Sequence, residues 1–102
     1  MKGLTTHVLD TIRGTGAAGM RVEVQGPEGL VEFAVLDENG RAVLLPELAV
    51  GGYEISFFAG DYLGFTEFYD VIPVAFLVKD PTKHYHVPLV LSAYGYSTYR
   101  GG

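Results

Sequence analysis

Three histidines, His7, His84 and His86, are the only imidazoles in this chain, and they bound the chemistry it can perform. There is no cysteine, which removes disulfides, thiol nucleophiles and cysteine-based zinc sites. No Gly-x-Ser-x-Gly elbow presents a serine for attack, and Asp37-Glu38 and Glu67 with Asp70 read as solvated loop charge. Water activation is what remains. A neutral imidazole titrates near neutral pH and can take a proton from water. Arg41 and Arg100 supply the complement, because a guanidinium offers a planar fork of donors to an oxyanion or a ring carbonyl and keeps its charge.

The spacing of these residues says how they can be held. His84 and His86 are two apart, so on a strand both project from one face while Tyr85 projects from the other. Joined by His7, they could also form a three-histidine zinc site with an open fourth position. No acidic partner stands at a readable spacing, and an exposed pair is the commoner outcome. His7, within LTTHVLD, reads as a half-buried strand histidine bonded to a backbone carbonyl. Tyr94, Tyr96 and Tyr99, close to the end of the chain, read as cover for apolar surface at a sheet edge or subunit contact.

The elements that must position these groups are strands. No segment repeats apolar residues with a sustained 3.6-residue period, whereas period-two alternation recurs, as in Met20-Arg21-Val22-Glu23-Val24-Gln25 and Tyr53-Glu54-Ile55-Ser56-Phe57. Turn signals fall at 14–19, 26–29, 37–40, 50–52 and 80–83. Strands are expected near 4–10, 20–25, 30–36, 41–44, 52–58, 71–79, 84–92 and 95–99. Eight short strands suit two packed sheets. Asn39-Gly40 predicts a tight primed turn that hands the chain from the third strand to the fourth and fixes Arg41 beside it. Segment 60–69 has room for one helical turn, with Gly64 arguing against more. Pro73 and Pro88 fall within strands and must occupy edges, bulges or unpaired sites.

With 48 % hydrophobic residues over 102 positions, the chain is expected to fold as a single domain, 1–102, with its own core. A formal net charge of −5 disfavours nucleic acid and anionic lipid as partners. No stretch is long and apolar enough to span a bilayer, and no apolar run of signal-peptide length follows Lys2, so a soluble, cytoplasmic protein is expected.

LTTHVLDT at the start, Asn39-Gly40-Arg41, and HYHVPLVLS with YGYSTYRG at the end together resemble the 5-hydroxyisourate hydrolases, the transthyretin-related enzymes of urate degradation. The resemblance implies an all-β, transthyretin-like sandwich of two four-stranded sheets that assembles as a homotetramer, a dimer of dimers with its active sites in a channel between dimers. It implies hydrolysis of 5-hydroxyisourate to 2-oxo-4-hydroxy-4-carboxy-5-ureidoimidazoline with no cofactor and no metal. By match to the family's motifs, His7, Arg41 and His86 are the catalytic residues, and His7, Arg41, Tyr99 and Arg100 bind substrate. His84 is expected to support the site from behind. The alternative that the resemblance carries is a transthyretin-like carrier of a small ligand. The family tail usually continues YRG with serine, and here Gly102 stands in that place.

Overall fold

A computed structural model describes residues 2–102 and shows two β-sheets packed face to face. The strands are β1 Gly3–Asp10, β2 Thr15–Gly16, β3 Arg21–Gln25, β4 Val31–Val35, β5 Arg41–Leu45, β6 Gly51–Phe58, β7 Val71–Val78, β8 His84–His86, β9 Leu89–Leu91 and β10 Tyr96–Thr98. One helical turn, α1, spans Ala59–Tyr62, and a 3-10 turn covers Pro27–Gly29. The expected single turn within 60–69 is therefore present, starting one residue early.

One sheet runs β4-β3-β6-β7, antiparallel throughout. The other has four strand positions, two of them divided: β10, then β8 and β9 end to end, then β1, then β5 and β2 end to end. The expected strand over 84–92 is thus two strands separated by Val87 and Pro88. Pro88 has no N–H to give to a ladder, so pairing lapses there. The register does not. Thr5 opposite His86 before the gap and Val8 opposite Leu89 after it keep the same offset along β1. Thr6 spans the gap, its buried hydroxyl donating to the Val87 carbonyl at 2.7 Å while Val87 N–H donates to the Thr5 carbonyl at 3.0 Å. Pro73 lies in β7, an edge strand, as its ring demands.

Alternation decides what each strand buries. Leu4, Thr6, Val8 and Asp10 of β1 point inward with Val22 and Val24 of β3, Ile55 and Phe57 of β6, Ile72 of β7, and Leu89 and Leu91 of β9. Each such aliphatic or aromatic side chain contributes roughly 1.5–3 kcal/mol on burial. Thr5 and His7, the intervening residues of β1, are left on the outer face, half-buried. Asp10 is the buried charge of this core; its carboxylate accepts from the N–H of Ile12 and Arg13 and from the Tyr62 hydroxyl at 2.7 Å.

The turn before Arg41 differs from expectation. Gly40 has φ of +76°, but Asn39 is not among the non-glycine residues with positive φ, so the turn is not of the primed type. Asp37 organises it instead: its Oδ1 accepts from the N–H of Asn39 and of Arg41, both at 2.9 Å, and its carbonyl accepts from Gly40 N–H at 3.0 Å. A primed turn suits two strands of one hairpin. Here β4 and β5 belong to different sheets, and the chain must cross between layers. Gly40 is needed for space as well as for its φ, since a Cβ there would lie 2.6 Å from Ala17 N and 2.7 Å from the Val8 carbonyl oxygen.

Candidate active site

β1, β5 and β8 meet at one end of the outer face of their sheet. β1 is central, with β5 antiparallel on one side and β8 parallel on the other. Register places His7 opposite Arg41, and Thr5 opposite both Val43 and His86. Parallel pairing of β1 with β8 therefore joins the two ends of the chain, and the imidazoles of one element face the guanidinium of the other across β1.

The groove formed there has a volume of about 550 Å³ and is lined by Thr5, Arg41, His84, His86, Gly101 and Gly102, with Asp37, Thr6, Ala42 and Val43 completing the wall. The rings of His84 and His86 lie side by side, 6.2 Å apart at 29°. Thr5 Oγ1 lies 2.8 Å from His84 Nε2 and 2.8 Å from His86 Nδ1. No buried side-chain nitrogen or oxygen lacks a hydrogen bond among the described residues. His86 Nε2 is thus the ring nitrogen left to face water. Burial of the ring pushes the His86 pKa below its ordinary value, and the charges of His84, His7 and Arg41 push it the same way. His86 is accordingly a neutral imidazole, with a free nitrogen toward the groove.

His7 sits on the same face, at the next level along β1. Its Nε2 is 3.1 Å from the Asn39 carbonyl oxygen. A carbonyl only accepts, so Nε2 carries the hydrogen and the lone pair of the neutral ring is on Nδ1. The expectation of a half-buried histidine bonded to a backbone carbonyl holds, and the bond ties β1 to the turn that carries Arg41. Asp37, read from the sequence as solvated charge, is exposed but lines the groove. Its carboxyl is held below the usual range, first by the Arg41 N–H and then by the Asn39 N–H.

The end of the chain closes the groove. Gly101 N–H donates to the His86 carbonyl at 2.7 Å, and the two residues form an antiparallel bridge. A Cβ on Gly101 would fall 2.5 Å from His86 Cδ2, so glycine lets the backbone lie flat against the imidazole. Tyr99 and Arg100 are not brought into this groove within one chain. They line a second one of about 510 Å³ with Val74, Phe76, Tyr85 and Val87. Tyr85 points away from its neighbouring histidines, and Arg100 follows it, its guanidinium 4.1 Å above the Tyr85 ring. Two backbone N–H groups, of Asp80 foremost and of Lys79, donate to the Tyr85 hydroxyl and lower its pKa.

Sequence reasoning missed Thr5, Asp37 and Gly101. For Thr5 the available signal was alternation, which puts position 5 on the face of His7. Among the described residues, no group of three or more histidines and acids is arranged to hold a metal ion.

The two sheets, with β1 central in one and the His-x-His strand parallel beside it, define the transthyretin-like β-sandwich as the class of protein. The chain belongs to the HIUase/Transthyretin family, whose model matches residues 4–101. It is 44 % identical over 115 aligned residues to a 5-hydroxyisourate hydrolase of Caulobacter vibrioides, covering 99 % of each chain. Among solved structures, it superposes on the 5-hydroxyisourate hydrolase of Klebsiella pneumoniae with a TM-score of 0.88 at 26 % identity, covering 100 % of both chains. It superposes on sea bream transthyretin in complex with thyroxine with a TM-score of 0.84 at 27 % identity, over 96 % of this chain and 93 % of that one.

Proposed function

We infer that the chain is a hydrolase of 5-hydroxyisourate, opening the ring to 2-oxo-4-hydroxy-4-carboxy-5-ureidoimidazoline in urate degradation. The fold alone does not decide this, since the hydrolase and the thyroxine-bound transthyretin superpose on it about equally. The observation that carries it is the groove in which neutral His86 and cationic Arg41 face one space. A carrier has no use for a base opposite an oxyanion donor.

In this reading, His86 Nε2 takes a proton from water, and the resulting hydroxide adds to the ring carbonyl. Arg41 holds the substrate's oxygens and stabilises the oxyanion of the tetrahedral intermediate. Collapse breaks the ring C–N bond, and the departing nitrogen takes back the proton. His7, outside the groove's lining, steadies the Arg41 turn and meets substrate from the next level along β1. Neither step calls for a cofactor or a metal. Substrate contact by Tyr99 and Arg100 belongs to an assembled tetramer, in which a neighbouring copy completes the channel.

Two open sheet edges support that assembly. β10 and β7 end their sheets and expose Tyr96 and Leu77, the latter at 65 %, with Tyr99 exposed just beyond β10, and unpaired edges are sites of strand addition. Sedimentation is expected to return about four times the 11.0 kDa of one chain; a stable 11.0 kDa species removes the tetramer from the proposal.

The direct test generates 5-hydroxyisourate in the cuvette with urate oxidase and follows its ultraviolet decay. An unchanged spontaneous rate on adding the protein defeats the hydrolase reading. The same assay against pH checks the base. His86 acts only when neutral, and its pKa lies below the ordinary 6.5. kcat/KM should therefore stay level as pH falls through 6.5 and drop only at more acid values. An acid limb centred at or above 6.5 assigns the step to another group.

A further inference from the structure

The hydroxyl of Thr5 stands between two imidazoles, 2.8 Å from His84 Nε2 and 2.8 Å from His86 Nδ1. It has one hydrogen to donate. If that hydrogen goes to one ring nitrogen, the other nitrogen must carry its own hydrogen and donate to Oγ1. With the hydroxyl hydrogen kept between the rings, two settings satisfy all three groups. In the first, His86 Nδ1–H donates to Oγ1, and Oγ1–H donates to His84 Nε2; His86 Nε2 then bears a lone pair toward the groove. In the second, the hydrogens are shifted by one place, and His86 Nε2 bears a hydrogen.

We propose that His84, Thr5 and His86 form a proton relay that switches His86 Nε2 between base and acid during hydrolysis, with Thr5 and His84 as positioning residues behind it. The proposal rests on the hydrolase reading given above. The protons balance without another reactant. When His86 Nε2 takes a proton from water, its Nδ1 hydrogen passes to Oγ1, and the Oγ1 hydrogen passes to His84 Nε2. His86 ends neutral and His84 ends as the imidazolium, while the substrate carries the oxyanion. On collapse, His86 Nε2 gives its hydrogen to the departing ring nitrogen, and the other two hydrogens return along the same path.

Geometry says why charge should leave His86. Arg41 lies at the level of His7, His86 at the level of Thr5, and His84 at the level of Gly3. At about 3.4 Å per residue, His84 is roughly 7 Å farther along β1 from Arg41 than His86 is. Burial first, and then the charges of His84, His7 and Arg41, act against a cation on His86. Passing the proton on moves the cation away from the guanidinium that must act on the oxyanion. Thr5 is itself fixed by backbone bonds on both sides of β1, so its hydroxyl needs little ordering when the reaction starts.

The test compares wild type with Thr5→Val, which keeps the shape and removes the hydroxyl, and with Thr5→Ser, which restores it. Thr5→Val is expected to lower kcat at least about tenfold with KM little changed, a part of the roughly 10²–10⁴-fold that positioned proton transfer contributes; Thr5→Ser should recover most of the loss. In mixtures of light and heavy water, the rate of wild type should bow downward, showing more than one proton in motion, and that of Thr5→Val should be linear. Nitrogen NMR of the imidazoles should show complementary tautomers of His84 and His86 in wild type and loss of that correlation in Thr5→Val, whatever the activity. Full kcat in Thr5→Val, or Thr5→Ser no better than Thr5→Val, overturns the relay. An inactive wild type with complementary tautomers overturns the hydrolase reading and leaves the hydrogen-bond chain standing.

Discussion

His86→Ala and Arg41→Ala are each expected to lower kcat/KM at least ~100-fold, on the order of 2.7 kcal/mol of transition-state stabilisation. The two losses have different forms. In the proposed mechanism His86 Nε2 takes the proton, so the fall in His86→Ala should lie in kcat and should flatten the acid limb of the pH profile. In the same mechanism the Arg41 guanidinium faces the oxyanion and holds the substrate's oxygens, so Arg41→Ala should also raise KM. Arg41→Lys is a sharper test than alanine, since an ammonium keeps the charge and loses the planar fork. Little recovery in Arg41→Lys is the expected result. His7→Ala should reach a similar ~100-fold loss by another route: the turn that presents Arg41 keeps its backbone bond from Val8 N–H to the Gly40 carbonyl but loses the imidazole that holds the Asn39 carbonyl and stands beside Arg41 in register. Neither His86 nor Arg41 is part of the buried core, so melting temperature should move little. Activity within a few-fold of wild type in any of these variants removes that residue from its role.

Much of this arrangement was legible in the sequence because it depends on local periodicity. Alternation placed His84 and His86 on one face and Tyr85 on the other, and the structure has them so. Pro73 on an edge and the lapse at Pro88 follow from the missing N–H. What was not legible depends on residues far apart. Thr5 meets His84 and His86 across 79 and 81 residues, and no local pattern distinguishes a threonine that bridges two imidazoles from one that merely prefers a strand. The type of turn at Asn39-Gly40 was misjudged for a related reason. Tolerance of positive φ says that a turn can form, but not that the next strand joins the opposite sheet. The direction of Arg100 is likewise set by the bridge between Gly101 and His86, which holds the backbone on one side of β8 and leaves the guanidinium over Tyr85 on the other.

That bridge makes the tail a part of the site that the fold can lose. Deleting residues 99–102 is expected to abolish turnover while the sandwich stays folded. The deletion removes the Gly101 wall against His86, the backbone bond to the His86 carbonyl and the Arg100 stack on Tyr85. It removes no residue of the buried core, whose last member is Leu91, and it spares β10. One exposed cation–π contact, the Gly101 hydrogen bond and a long, exposed one from Arg100 to the His84 carbonyl at 3.5 Å together amount to about 1–2 kcal/mol, against a total stability of roughly 5–15 kcal/mol. A drop in melting temperature of roughly 5–15 °C is consistent with that sum. Gly101→Ala separates the wall from the rest of the tail. Its Cβ would fall 2.5 Å from His86 Cδ2 and 3.2 Å from Cγ, so either the ring turns or the bridge opens, and kcat should fall about tenfold or more with the fold intact. A truncated chain that loses its sandwich makes the tail structural, and one that keeps full turnover shows that the groove works without that wall. The expected separation, folded but inactive, follows from where the tail lies: it adds almost nothing to the core and closes the space around His86, the imidazole whose free nitrogen faces the groove.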